Sequence, residues 1–196
     1  MSSLTDNFNE LLERIRYGRE VGHASFEPVY YLVFPPREIL EVKRMMPAWT
    51  PKLQNDGWQV HRFSMAEAIA EILAQAPQRR IWLMADHKAP LAWTKTNKAL
   101  MDALTKENPP KKGALQTCFA TWLERHQHNE KTILLATDLE ALHPYTRIGA
   151  LEGNLVGKFR VPTVIFYPGE RTGKTRLKFL GFYPEDGNYR SVHVGG

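Results

Sequence analysis

Three short apolar runs constrain this chain more than anything else in it: VYYLVF at 29–34, TILLA at 132–136 and TVIFY at 163–167. Each is rich in β-branched and aromatic residues and none carries a charge. A strand with one wet face alternates apolar and polar residues. A strand that is apolar throughout needs cover on both faces, as in a parallel sheet sandwiched between helices. The intervening segments supply those helices. Phe8, Leu11, Leu12 and Ile15 share one face of a helix capped by Thr5 or Asp6, and Ile39, Leu40, Val42 and Met46 follow a Pro35-Pro36 start. Pro47 and Pro51 are expected to break that second helix before a further short helical piece. Ser64 with Glu67 makes a capping box ahead of Ala68, Ile69, Ile72 and Leu73. Helical spacing resumes over Thr94–Lys106, and it is clearest at Leu115, Cys118, Phe119, Trp122 and Leu123. Ile148, Leu151, Leu155 and Val156 mark another helix, weakened by Gly149, Gly153 and Gly157. Trp58–Phe63 and Ile81–Met84 read as additional strands. The expectation is a single α/β domain over 1–196, with a mostly parallel central sheet flanked by helices on both faces.

The stretch Val161 to Val194 contains GERTGKT, which has the look of a phosphate-binding loop. A P-loop needs a glycine, four free positions and then Gly-Lys-Ser/Thr. Counting back from Gly173-Lys174-Thr175 puts Pro168 where that glycine belongs, and the nearer Gly169 leaves the loop one residue short. A P-loop also opens a helix whose first amides face the phosphates, whereas Arg176 to Leu180 alternates charged and apolar residues as a strand does. The segment therefore reads as strand, turn, strand. Arg176–Phe182 and a last strand at Tyr189–Val194 are expected to run antiparallel to their neighbours, as a C-terminal hairpin at one sheet edge.

No apolar run approaches the roughly 20 residues that span a bilayer, and the first stretch, MSSLTDNFNELLERIRYGR, is acidic and amphipathic rather than basic and then apolar. Cys118 is the single cysteine, which excludes an internal disulfide framework and a cysteine-based zinc site and fits a cytoplasmic location. The net charge of +5 permits contact with nucleic acid, but the basic residues are spread out, densest at 106–112 and 171–178. A solvated surface is the commoner reason for such a distribution, and an acidic protein partner is the other.

Ligands of open α/β sheets bind beyond the carboxyl ends of the parallel strands. Asp86, His87 and Asp138 are the crevice candidates on that ground, with Arg37, Tyr145 and Arg147 nearby in pattern and Arg171, Lys174 and Arg176 on the polar turn. The last six are the candidates for partner binding. Asp138 follows TILLA as the magnesium-binding acid of P-loop ATPases follows its strand, but without a P-loop it reads better as a turn cap. His126 and His128 point opposite ways on a helix and suit no metal. Cys118, on an apolar helix face, reads as a buried structural thiol. No elbow, zincin or dinucleotide motif is present, so neither an enzyme nor a cofactor is expected.

Phe166-Tyr167-Pro168-Gly169-Glu170 closing an apolar strand, followed by a polar turn, a second strand and Asn188-Tyr189-Arg190, resembles the C-terminal part of BrxB proteins. TILLATDLEALHPYTRIGALEGNL is similar to that family's strand, small-residue turn and aromatic-x-Arg helix opening. VYYLVFPPREILEVKRMMPAWTPKLQNDGWQVHRFSM resembles its N-terminal strand, helix and strand, so the resemblance covers about 28–194. BrxB proteins belong to BREX bacteriophage-exclusion systems, together with a PglZ protein, a BrxC ATPase and a PglX methyltransferase. The resemblance implies an accessory, non-enzymatic subunit that binds PglZ or another BREX component. A degenerate nucleotide- or nucleic-acid-binding domain is the alternative.

Overall fold

The computed structural model describes residues 3–21, 27–107, 113–173, 176–187 and 191–196. The three apolar runs become β1 (Val29–Phe34), β3 (Thr132–Thr137) and β4 (Thr163–Thr172), and every residue of β1 and β3 is buried. With β2 (Gln59–Ser64) and β7 (Val192–Gly195) they form a parallel sheet in the order β2-β3-β4-β1-β7. The uncharged runs thus take the three inner places. QVHRFS, which buries only its last two residues, takes an edge.

Alternation along the strands divides the core in two. Tyr30, Leu32, Phe34, Leu135, Val164 and Phe166 face α1 (Leu4–Val21) and α2 (Ile39–Asn55), where Phe8 stacks on Trp49 with ring centroids 4.3 Å apart. Such a pair adds about 0.5–1.5 kcal/mol beyond its buried area. Tyr31, Val33, Leu134, Ala136 and Ile165 face the other way, onto α3 (Met65–Gln75), α5 (Trp93–Thr105), α6 (Ala114–His126) and α7 (Ile148–Gly153). Helices on both faces are what the apolar strands require. Ser64 starts α3 as expected, its hydroxyl accepting from the Glu67 amide at 3.2 Å. An antiparallel extension, β5 (Arg176–Phe179) with β6 (Glu185–Gly187), pairs with the outer half of β4 from Gly169 to Thr172.

Several local expectations are corrected. Ile81–Met84 is not a strand but lies within a helix, α4 (Arg79–Lys88), outside α3 and α5. Pro47 and Pro51 do not break α2; both sit on its exposed side, where the carbonyls they leave without an amide partner can meet water, while Val42, Met46, Trp49 and Leu53 bury the opposite side. The last strand, Val192–Gly195, is parallel to β1 rather than antiparallel, and it lies at the edge opposite β2. β5 stops at Phe179 because Leu180 and Gly181 turn with φ of 52° and 75°. α7 ends at Gly153, leaving Val156 exposed, and Cys118 is only half-buried.

Candidate functional site

The carboxyl ends of the parallel strands meet around Asp138. This residue leaves β3 with φ of 59°, a left-handed conformation that Asp tolerates better than most residues. Its carboxylate accepts from the Ser64 hydroxyl at 2.6 Å, the Thr137 hydroxyl at 3.0 Å and the Lys43 ammonium at 2.9 Å. Lys43, on α2, also reaches Glu140 at 2.6 Å. Burial pushes the Asp138 carboxyl up, but these hydrogen bonds and the Lys43 charge outweigh it and hold the group below the usual carboxylate range. Hydrogen bonds to Glu140 and Asp138 raise Lys43 correspondingly. The ends of β2, β3 and α2 are therefore tied by one ionic knot. The cavity beside it holds about 170 Å³ and is walled by Phe34, Ile39, Val42 and Met46. The Asp138 side chain does not cap the turn that follows, contrary to expectation: its carboxylate is taken up by Ser64, Thr137 and Lys43 instead.

Arg147 opens α7 and donates to Asp186 at 2.9 Å, with its guanidinium 5.8 Å from the Tyr183 ring centroid. It lies on a cavity of about 280 Å³ walled by Tyr31, Tyr167 and Phe179, into which Glu152 brings a carboxylate bonded to the Tyr31 hydroxyl. Burial, then the Asp186 charge, pushes the Tyr167 phenol up. Tyr145 is half-buried against the same core. Arg171 donates to the Gly173 carbonyl at 3.1 Å and to the His193 carbonyl at 3.4 Å, tying β4 to β7, and Arg176 pairs with Glu185 at 3.5 Å. Arg37 is exposed, 4.0 Å from Glu38. Lys174 lies outside the described residues. The strands on either side of Gly173 are antiparallel, so no helix end faces a phosphate there.

Asp86 and His87 do not follow a strand. They sit exposed on α4, and Asp86 borders a groove of about 520 Å³ between α3, α4 and α5, whereas Asp138 lines a different cavity. This groove was hidden from sequence reasoning, although RRIWLMADHK carries a signal: a short apolar band with basic residues at both ends. His126 packs against His61, ring centroids 4.4 Å apart, and among the described residues no group of three or more His, Cys, Asp or Glu side chains is arranged to hold a metal.

The architecture is that of a parallel-sheet α/β protein with an antiparallel edge extension, its carboxyl edge tied by internal ion pairs and a groove of about 520 Å³ lying among helices. The chain belongs to the BrxB family: the family model of the BREX protein BrxB matches residues 63–194, from the end of β2 to β7. It is accordingly a component of a BREX phage-defence system. No curated protein and no solved structure matches the chain. No helix among the described residues is long and apolar enough to cross a membrane.

Proposed function

We propose that this protein is a non-enzymatic, cytoplasmic interaction subunit of its BREX system that docks PglZ or another BREX component. One observation carries the reading: Ile81, Leu83, Met84, Leu91 and Trp93, five of the nine exposed large hydrophobic side chains among the described residues, fall within 13 consecutive positions. Exposed apolar patches of that density mark surfaces that another molecule covers. The crevice where an open α/β sheet would take a small ligand offers less, since Asp138, Lys43 and Glu140 satisfy one another.

Co-purification with the PglZ encoded in the same operon tests the reading, followed by pairwise mixing with the other BREX proteins at micromolar concentration. A stable complex with at least one of them is the expected result. Absence of binding to every component would remove the proposal. Calorimetry with ATP and magnesium separates the nucleotide-binding alternative, for which heat of binding is required and for which no heat is expected here.

A further inference from the structure

Helix α4 is in an unusual setting for its sequence. Five apolar residues, Ile81 to Ala85, stand between Arg79-Arg80 and His87-Lys88. At about 3.6 residues per turn, five consecutive positions go right round a helix. A helix that is apolar on all sides belongs in an interior, yet α4 has no buried residue, and Ile81, Leu83 and Met84 are 66%, 55% and 64% exposed. Its 10 residues also fall short of the roughly 12–15 that sustain a helix alone in water. The groove beside it is walled by Leu73, Trp82, Leu83, Trp93 and Leu100, long side chains suited to receiving a row of apolar anchors.

Charge selects the occupant. The hairpin of α4 and α5 exposes Arg79, Arg80, Lys88, Lys95 and Lys98 against Asp86 and the half-buried Asp102; Arg79 and Asp86 line the groove itself, and none of these seven forms an ion pair among the described residues. Five cations against two carboxylates leave the hairpin a net +3 of the chain's formal charge of +5. A second copy of the chain would bring like charge to it. A flat bilayer would leave the groove unfilled, and duplex phosphates would leave Ile81, Leu83 and Met84 uncovered. We infer that the groove between α3, α4 and α5 receives an acidic amphipathic helix of another BREX component, with the body of that partner covering Ile81 and Met84 on the outer side of α4. The inference rests on the interaction-subunit reading and gives it a surface and a partner chemistry.

The test uses the full chain and the operon-encoded BREX proteins. A photo-crosslinking amino acid replaces Leu83, with Val156, exposed and away from the groove, as the control position. In parallel, Leu83→Glu and Arg80→Glu are compared with the wild type for affinity toward whichever component binds, over a salt series. Neither side chain is buried, so both variants keep the wild-type melting temperature. The expected results are a crosslink from position 83 to an acidic helical segment of the partner, none from position 156, and affinity lowered about tenfold or more by Leu83→Glu. Arg80→Glu lowers affinity at low salt and loses its effect at high salt. A complex that forms with wild-type affinity in both variants overturns the surface while leaving the interaction-subunit reading standing. Crosslinks from position 83 to a second copy of the chain, to lipid or to DNA overturn the partner class. No complex with any BREX protein overturns both readings.

Discussion

At the scale of single residues, the chain keeps one polar ring in an uncomfortable place. His193 on β7 is buried, its Nε2 lies 3.0 Å from the Ser191 hydroxyl, its Nδ1 has no hydrogen-bond partner among the described residues, and the ring meets Tyr31 edge-on. Burial, helped by the nearby Arg171 charge, pushes the imidazole down from 6.5 to about 4. The unfolded chain therefore binds a proton that the folded one refuses, so the contribution of His193 to stability is full above pH 6.5 and falls as pH drops from 6.5 toward about 4. Urea unfolding at pH 7.5 and 5.5 is expected to show a loss of about 1 kcal/mol from this source, absent in His193→Gln. Equal pH slopes for the two proteins would show that the ring is solvated. The two glycines of GERTGKT separate in the same way. Gly173 turns with φ of 72° and has open space around it, so alanine there costs only the left-handed strain of about 1–2 kcal/mol. Gly169 is not a turn residue at all: a Cβ would stand 2.4 Å from the Lys178 carbonyl oxygen and 2.6 Å from the Tyr167 ring, so Gly169→Ala forces β4 and β5 apart and costs about 1–3 kcal/mol. Chemical denaturation of both variants, with Tyr167→Ala in the Gly169→Ala background to relieve the ring contact, separates strain from crowding.

At the scale of elements, α4 and β3 make a controlled comparison, since both are short apolar runs. Ile81→Lys and Met84→Lys are expected to change unfolding free energy by less than about 0.5 kcal/mol, as surface changes do, while Leu134→Ala in β3, fully buried, costs about 2–5 kcal/mol. A large loss from Ile81→Lys would place α4 in the core. The same pair explains how much could be read from the sequence. VYYLVF, TILLA and TVIFY disclosed inner strands because an unbroken apolar run between turn signals fits little else, and amphipathic spacing disclosed α1, α3, α5 and α6. IWLM has the same local character, and periodicity over four residues cannot separate a strand from a helix turn. Its neighbours Arg79, Arg80, His87 and Lys88 were consistent with either. Proline misled over α2 because the rule concerns a missing amide, and the sequence does not say that Pro47 and Pro51 share a hydrated face. The ionic knot was half legible: Asp138 is conspicuous after TILLA, but its donor Ser64 is 74 positions away and Lys43 further still, so only the fold brings them together.

At the scale of the whole molecule, the segment that matches the BrxB family begins at Phe63, after β1 and α2. The sheet order shows why that segment is not a folding unit. β1 lies between β4 and β7, hydrogen-bonded to both, so without residues 29–34 the last strand has no neighbour and β4 loses one side of its ladder. α1 and α2 supply Phe8, Leu11, Ile15, Trp49 and Leu53, the cover for one entire face of the sheet, against which Leu135, Val164 and Phe166 pack. A fragment without that cover, and without β1, exposes the apolar runs of β3 and β4 on one side, a surface that a domain of this size cannot leave wet. A fragment of residues 63–194 is therefore expected to lack a cooperative thermal transition and to aggregate, whereas the full chain melts in a single step. Circular dichroism and light scattering on both proteins check this. A fragment that melts cooperatively as a monomer would mean that the α1 and α2 layer is an accessory to the fold rather than half of its core.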